Sequence, residues 1–282
     1  MLRIVRRKPM TLKVYISVDM EGVSGVVHKD HTSRDGDDYQ LARRLMTLEA
    51  NAAIEGAFDA RALEVVVNDS HGTMRNLIPE LLDPRAQLIT GSPKPLSMMQ
   101  GIDNTFSAAI CIGYHARAGT SGILDHTMSG RAVYDLRING KSQGEFGLNS
   151  GIAGYFGVPM VMISGDSAAT SQATDLVPDI VTAAVKEAVT RYSAKCLSPI
   201  MAQSLIKEQS KLGVESRELI APIKYPTPTT LTLQFMNTAM AEIAEMIPGV
   251  ERNNDVTVSY TSEDYLEAFK CIRALLIIAG TL

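Results

Sequence analysis

The chain is predicted to fold as an α/β protein: a mostly parallel sheet with helices on both faces, plus a smaller α+β C-terminal portion. Three observations predict it. Near-continuous apolar runs rich in β-branched residues recur at 13–19 (KVYISVD), 62–69 (ALEVVVND), 107–115 (SAAICIGYH) and 158–166 (VPMVMISGD). That is the pattern of strands covered on both faces. A helical stretch separates the first two runs, so strand, helix and strand form a βαβ crossover. After Ser198-Pro199 the character changes to prolines and alternating segments.

The elements follow in order. Residues 1–11 (MLRIVRRKPMT) read as a basic, disordered leader, and the patterning favours Met10 as the start of the protein proper. Residues 28–38 (HKDHTSRDGDD) read as a mobile surface loop, and its His28 and His31 are assigned no role. A helix is expected over 38–60, with Leu41, Leu45, Leu48, Ala52 and Ala53 at helical spacing. RAVYDLRINGKSQGE (131–145) reads as a hairpin turning at Asn139-Gly140. GEFGLNSGIAG (144–154) reads as a glycine-rich helix starting near Glu145, and TAAVKEAVTRYSAKC (182–196) as an alanine-rich helix. Beyond a soft boundary near residue 200, residues 200–213 are helical and TLTLQF (230–235) alternates as a strand. A helix around Asn237–Met246 stops at Pro248-Gly249, DVTVSY (255–260) is a strand, and a last helix starts at Glu263 with Ser262 as N-cap. The expected division is therefore 12–200 as an α/β domain and 201–282 as a smaller α+β domain.

Composition narrows the function classes. The 282 residues, 45% hydrophobic and 21% charged, are ordinary for a globular protein with a real core. A net charge of −4 gives no electrostatic case for nucleic acid as a partner. The longest C-terminal apolar run, ALLIIAG, is far too short to span a bilayer, and the basic opening lacks the apolar stretch and cleavage site of a secretory signal. Cys111, Cys196 and Cys271 are odd in number and widely spaced, so they read as reduced core residues of a cytoplasmic protein.

Polar residues gather where the apolar strands end, the usual place for function in open α/β sheets. VYISVDMEG ends in Asp19 and Glu21, two carboxylates whose mutual repulsion calls for a cation between them. The second run ends in Asn68-Asp69-Ser70-His71 and the third in Gly113-Tyr114-His115. Glu145 adds a third carboxylate at a helix start, where the helix dipole alone would also favour it. This mixture suits zinc or another borderline divalent ion, and three carboxylates with two imidazoles suit two ions better than one. On pattern alone, Asp19 and Glu21 fit a solvated turn equally well. His126, in GILDHTMSG, reads as a loop histidine, and Lys94 as a solvated loop charge.

Five blocks in order, SVDMEGVSG (17–25), VNDSHGTM (67–74), GYHARAGT (113–120), DHTMSG (125–130) and GEFGLNSGIAG (144–154), resemble the D-aminopeptidase family of zinc peptidases, the DppA-type proteins. Further matches at ISGDSAA and around 182–199 extend the resemblance over roughly residues 12–200. It implies a site with two Zn2+ ions per subunit, held by Asp19 as the bridging ligand, Glu21, His71, His115 and Glu145. It also reverses the reading of His126, which becomes catalytic, as nucleophile or as acid–base. Further implications are a short peptide substrate with an N-terminal D-amino acid such as D-alanine, and a ring-like homo-oligomer, a pentamer or decamer. The alternatives are another metal-dependent hydrolase on the same rim, such as an amidohydrolase or phosphoesterase, and a non-catalytic peptide-binding protein linked to dipeptide uptake.

Overall fold

A computed structural model describes residues 11–281, so nearly all of the expected leader lies outside the described residues. The first half of the chain forms β1 (Lys13–Val18), α1 (Lys29–Thr32), α2 (Tyr39–Asp59), β2 (Glu64–Asp69), β3 (Gln87–Ile89), β4 (Ala108–Tyr114), β5 (Val133–Ile138) and β6 (Lys141–Ser142). Then come α3 (Glu145–Tyr155), β7 (Met160–Asp166), α4 (Ser167–Leu176), β8 (Val181–Thr190), β9 (Ser193–Cys196) and α5 (Pro199–Glu215). The chain closes with β10 (Thr229–Phe235), α6 (Thr238–Ala244), β11 (Glu251–Asn254), β12 (Thr257–Ser262) and α7 (Tyr265–Ala279).

Seven strands make one sheet in the order β3-β2-β1-β4-β7-β8-β9, parallel except at the β9 edge. β4 and β7 are buried along their whole length and β1 in all but its first residue, which is why these strands carry unbroken apolar runs. Successive strands run outward from β1 on one side and from β4 on the other. The strand order therefore reverses between β1 and β4, and the crevice beyond their carboxyl ends is the expected place for a site. α2 and α5, packed together, cover one face, and α3 and α4 the other. The face that α2 buries runs through Ala42, Met46, Ala50, Ala53 and Ala57, whereas Leu41 is exposed and Leu45 and Leu48 are half-buried. Small side chains win the inward face because α5 crosses it closely.

Residues 182–196, expected to be helical, are the strands β8 and β9. Alanine's helix preference is worth only tenths of a kcal/mol per residue. Pairing against β7, with Ala183 and Val185 buried and Ala184 and Glu187 exposed, outweighs it. The hairpin at Asn139-Gly140 forms as read, with positive φ at both residues (48° and 81°) matching a type I′ turn.

That hairpin joins the second sheet, of order β11-β12-β10-β5-β6 and antiparallel throughout. The two sheets thus interleave along the chain: β5 and β6 serve the second, while α5, beyond residue 198, covers the first. α7 lies between the second sheet and α3. Tyr265 of α7 donates a hydrogen bond to the Leu148 carbonyl of α3 (2.8 Å). On the same helix a Cβ at Gly154 would stand 1.6 Å from the Ile223 carbonyl oxygen, so only glycine permits that approach. The three cysteines are unpaired, and no helix among the described residues is long and apolar enough to cross a membrane.

Candidate metal centre

β1 ends at Val18, and the chain then curls against the end of β4. Asp19 N–H donates to the Ile112 carbonyl (2.8 Å) and Gly22 N–H to the Gly113 carbonyl (2.7 Å). A Cβ at Gly22 would stand 1.9 Å from the Tyr114 carbonyl oxygen, which explains the glycine after the two acids. The turn aims both carboxylates into the crevice. His71 arrives from the end of β2, His115 from the end of β4, and Glu145 from the first turn of α3.

The result is two adjoining clusters. In one, His71 Nδ1 lies 3.2 Å from Asp19 Oδ1 and 2.9 Å from Glu21 Oε2. In the other, His115 Nε2 lies 3.5 Å from Glu145 Oε2 and 3.5 Å from Asp19 Oδ2. Asp19 thus turns one oxygen to each cluster. His126 Nε2 stands 3.8 Å from Glu145 Oε1, and its ring stacks on His115 with centroids 4.1 Å apart. All six sequence-selected side chains meet in one place. Asp19, Glu21 and His71 form one group with metal-ligand geometry; His115, His126 and Glu145 form the other.

Each imidazole has its remote nitrogen tied to a backbone carbonyl. His71 Nε2–H donates to Thr32 (2.8 Å), His115 Nδ1–H to Ala116 (3.0 Å) and His126 Nδ1–H to Leu124 (2.9 Å). That arrangement fixes the tautomer and leaves the inward nitrogen with its lone pair facing the carboxylates, as metal-binding histidines require. His115 Nε2 and Glu21 Oε2 are buried without a hydrogen-bond partner. Orphaned ligand-type atoms aimed at a common centre fit divalent cations.

The electrostatics carry the same demand. Burial, then the neighbouring Glu21 carboxylate, pushes the Asp19 carboxyl up to about 8. Burial opposes charge on His71, yet Glu21 and Asp19 raise it well above the usual imidazole range. His115 is likewise opposed by burial and raised to about 10, chiefly by Glu145. Three clustered carboxylates require positive charge nearby, and divalent ions would displace these protons on binding.

Backbone strain surrounds the cavity. Met74, Ser97 and Met128, all non-glycine and all lining it, have positive φ (57°, 49° and 63°). Left-handed backbone costs such residues roughly 1–3 kcal/mol each and clusters at functional sites. The cavity, about 120 Å³, is lined by the two clusters except His115, by Ser97, Met98 and Met128, and by Arg273 of α7.

Comparison with known proteins gives the chain its family. A family model described as D-aminopeptidase matches residues 12–274. The chain belongs to the D-aminopeptidase family. The D-aminopeptidase of Bacillus subtilis (strain 168) is 40% identical over 265 residues, covering 93% of this chain and 95% of the relative. Among solved structures, the Zn-dependent D-aminopeptidase DppA from Bacillus subtilis, described as a self-compartmentalizing protease, superposes with a TM-score of 0.94. Its identity is 39%, over 96% of this chain and 99% of that one.

Four residues of this family member escape sequence reasoning. Lys186 of β8 is buried and donates to the carbonyls of Glu21 (2.5 Å), Val23 (2.8 Å) and Val26 (2.5 Å), holding the turn that carries Glu21. Lys94, read as a solvated loop charge, is buried and donates to Asn68 Oδ1 (2.6 Å) and the Asp69 carbonyl (2.7 Å), bracing the approach to His71. Thr32 belongs to the segment read as a mobile loop, which contains the helical turn α1 and supplies the carbonyl that orients His71. Arg273 stands in the apolar run FKCIRALLIIAG, and a lone arginine there is the one signal that marked it.

Proposed function

We propose that this chain is a zinc-dependent D-aminopeptidase with a two-ion centre. The observation that carries the reading is the Asp19 carboxylate, whose two oxygens face two separate histidine–carboxylate clusters. Asp19, Glu21 and His71 would hold one ion; Asp19, His115 and Glu145 would hold the other. Zinc bound there supplies Lewis-acid polarisation of the scissile carbonyl and activates water at neutral pH.

The remaining work falls to the protein's own groups. His126 Nδ1–H is committed to the Leu124 carbonyl, so its Nε2 offers a lone pair to the cavity. Burial lowers its pKa, which keeps the imidazole neutral and able to accept a proton. It would take the proton of the attacking water and return it to the departing amine. Glu145 Oε1 accepts the Met128 N–H (2.7 Å), which fixes the loop that presents His126. The substrate would be a short peptide with an N-terminal D-residue, and the assembly a ring-like homo-oligomer, as the self-compartmentalizing relative suggests.

The test combines elemental analysis with a panel of D-alanyl-D-alanine, its L-counterpart and a phosphoester. About two zinc ions per subunit and turnover confined to the D-peptide are expected; preferential phosphoester hydrolysis would replace the reading with the other hydrolase class. His126→Ala should keep its zinc while turnover falls about a hundredfold to ten-thousandfold. Loss of zinc in that variant would make His126 a ligand, the second role its distance from His115 and Glu145 allows. Light scattering at working concentration tests the ring.

A further inference from the structure

We propose that Arg273 is the site's carboxylate anchor: it binds the free α-carboxylate of the peptide's C-terminal residue and so selects very short peptides. The inference rests on the peptidase reading above and adds the group that decides which peptides enter. Arg273 reaches the cavity from α7, a helix that packs on the second sheet and not on the strands whose ends bring the acids. Its Nε is shut off from solvent and has no hydrogen-bond partner among the described residues. Burial lowers its pKa, though a guanidinium remains charged at any physiological pH.

Arg273 is half-buried with its Nε shut off from solvent and unpartnered, and Glu145, although close enough to favour its charge, makes no ion pair with it. Both Glu145 oxygens are engaged elsewhere: Oε1 accepts the Met128 N–H (2.7 Å) and Oε2 faces His115 (3.5 Å). No ion pair within 4.0 Å joins Glu145 to Arg273 among the described residues. Once two divalent ions neutralise Asp19, Glu21 and Glu145, a further cation on the wall is repelled unless an anion enters with the substrate. A peptide brings one such group, its terminal carboxylate. Guanidinium and carboxylate match in planar, bidentate geometry, the reason arginine serves this recognition. Arg273 lines the same cavity as Asp19, Glu21, His71 and Glu145, so the carboxylate it binds follows the scissile bond closely, as in a dipeptide.

The experiment uses zinc-loaded, full-length protein and compares D-alanyl-D-alanine with its C-terminal amide. The wild type should prefer the free acid by about tenfold to a hundredfold in kcat/KM, carried mainly by KM. In Arg273→Gln that ratio should collapse toward one, and Arg273→Lys should restore part of it. A binding readout independent of turnover is the calorimetric Kd of the product D-alanine, expected to weaken at least about tenfold in Arg273→Gln. An unchanged acid-to-amide ratio in Arg273→Gln, with the wild type active, would overturn the anchor and leave the peptidase reading standing. A wild type that cleaves neither compound would overturn both.

Discussion

The two sheets contribute to the cavity in opposite ways. The carboxyl edge of the parallel sheet delivers Asp19, Glu21, His71 and His115 from three adjacent strand ends. The antiparallel sheet contributes no strand residue to the cavity lining; its helix α7 presents Arg273 alone. Parallel strands point all their carboxyl ends the same way, so side chains that follow them converge without further design. Antiparallel strands alternate direction, and that sheet serves as a wall. The comparison teaches that one layer sets the chemistry and the other shapes what reaches it.

The contrast can be broken most directly at Asp19. Asp19→Ala should remove both ions and lower turnover by orders of magnitude, whereas Glu21→Ala and Glu145→Ala should each release about one. Zinc counted per subunit decides this, and full occupancy in Asp19→Ala would end the shared-ligand assignment. Next in size is Lys186→Met, which removes a donor from three buried carbonyls, leaving those of Glu21 and Val26 unpaired, and should cost about 3 kcal/mol or more in denaturant unfolding. Zinc affinity should fall with it, because the turn bearing Glu21 loses its tether. A destabilised variant with native affinity would show that the rim does not depend on that lysine.

Gly154→Ala probes the seam with the second layer. The added Cβ meets a backbone oxygen that cannot rotate away, so a loss of about 2–3 kcal/mol is expected. Zinc content should survive, and its loss would mean that the wall also shapes the rim. The smallest effect concerns Glu49, whose Oε1 accepts the Ser24 N–H (2.8 Å) behind the same turn. Burial raises its carboxyl to about 7 from 4.5. A raised folded-state value stabilises below the unfolded value and is lost as pH rises toward about 7. Wild-type stability relative to Glu49→Gln should therefore decline by about 2 kcal/mol between about pH 5.5 and 7. A flat difference across that range would place Glu49 in contact with water.

Much of the parallel layer was legible in the sequence because burial on both faces writes itself as unbroken apolar runs. The ligand-type residues were legible for a related reason: they stand immediately after those runs. What escaped depends on pairing across the chain. Lys186 sits in an alanine-rich stretch whose composition favours helix, and only β7 alongside makes it a strand. Helical spacing alone did not say which side of α2 faces inward, and the close passage of α5 selects alanines there rather than leucines. Arg273 was hidden because nothing local tells a helix from the far sheet that it will border a cavity built elsewhere.

The hairpin of β5 and β6 lies between His126 and Glu145 in the chain, and its strand β5 pairs with β10 of the far sheet. A protease cut or a truncation that frees residues 201–282 would strip β5 of its partner. The disturbance would pass along a few residues of backbone to the imidazole on one side and the carboxylate on the other. The reactive rim and the far sheet therefore share one stretch of chain, and loosening either end of it reaches the other.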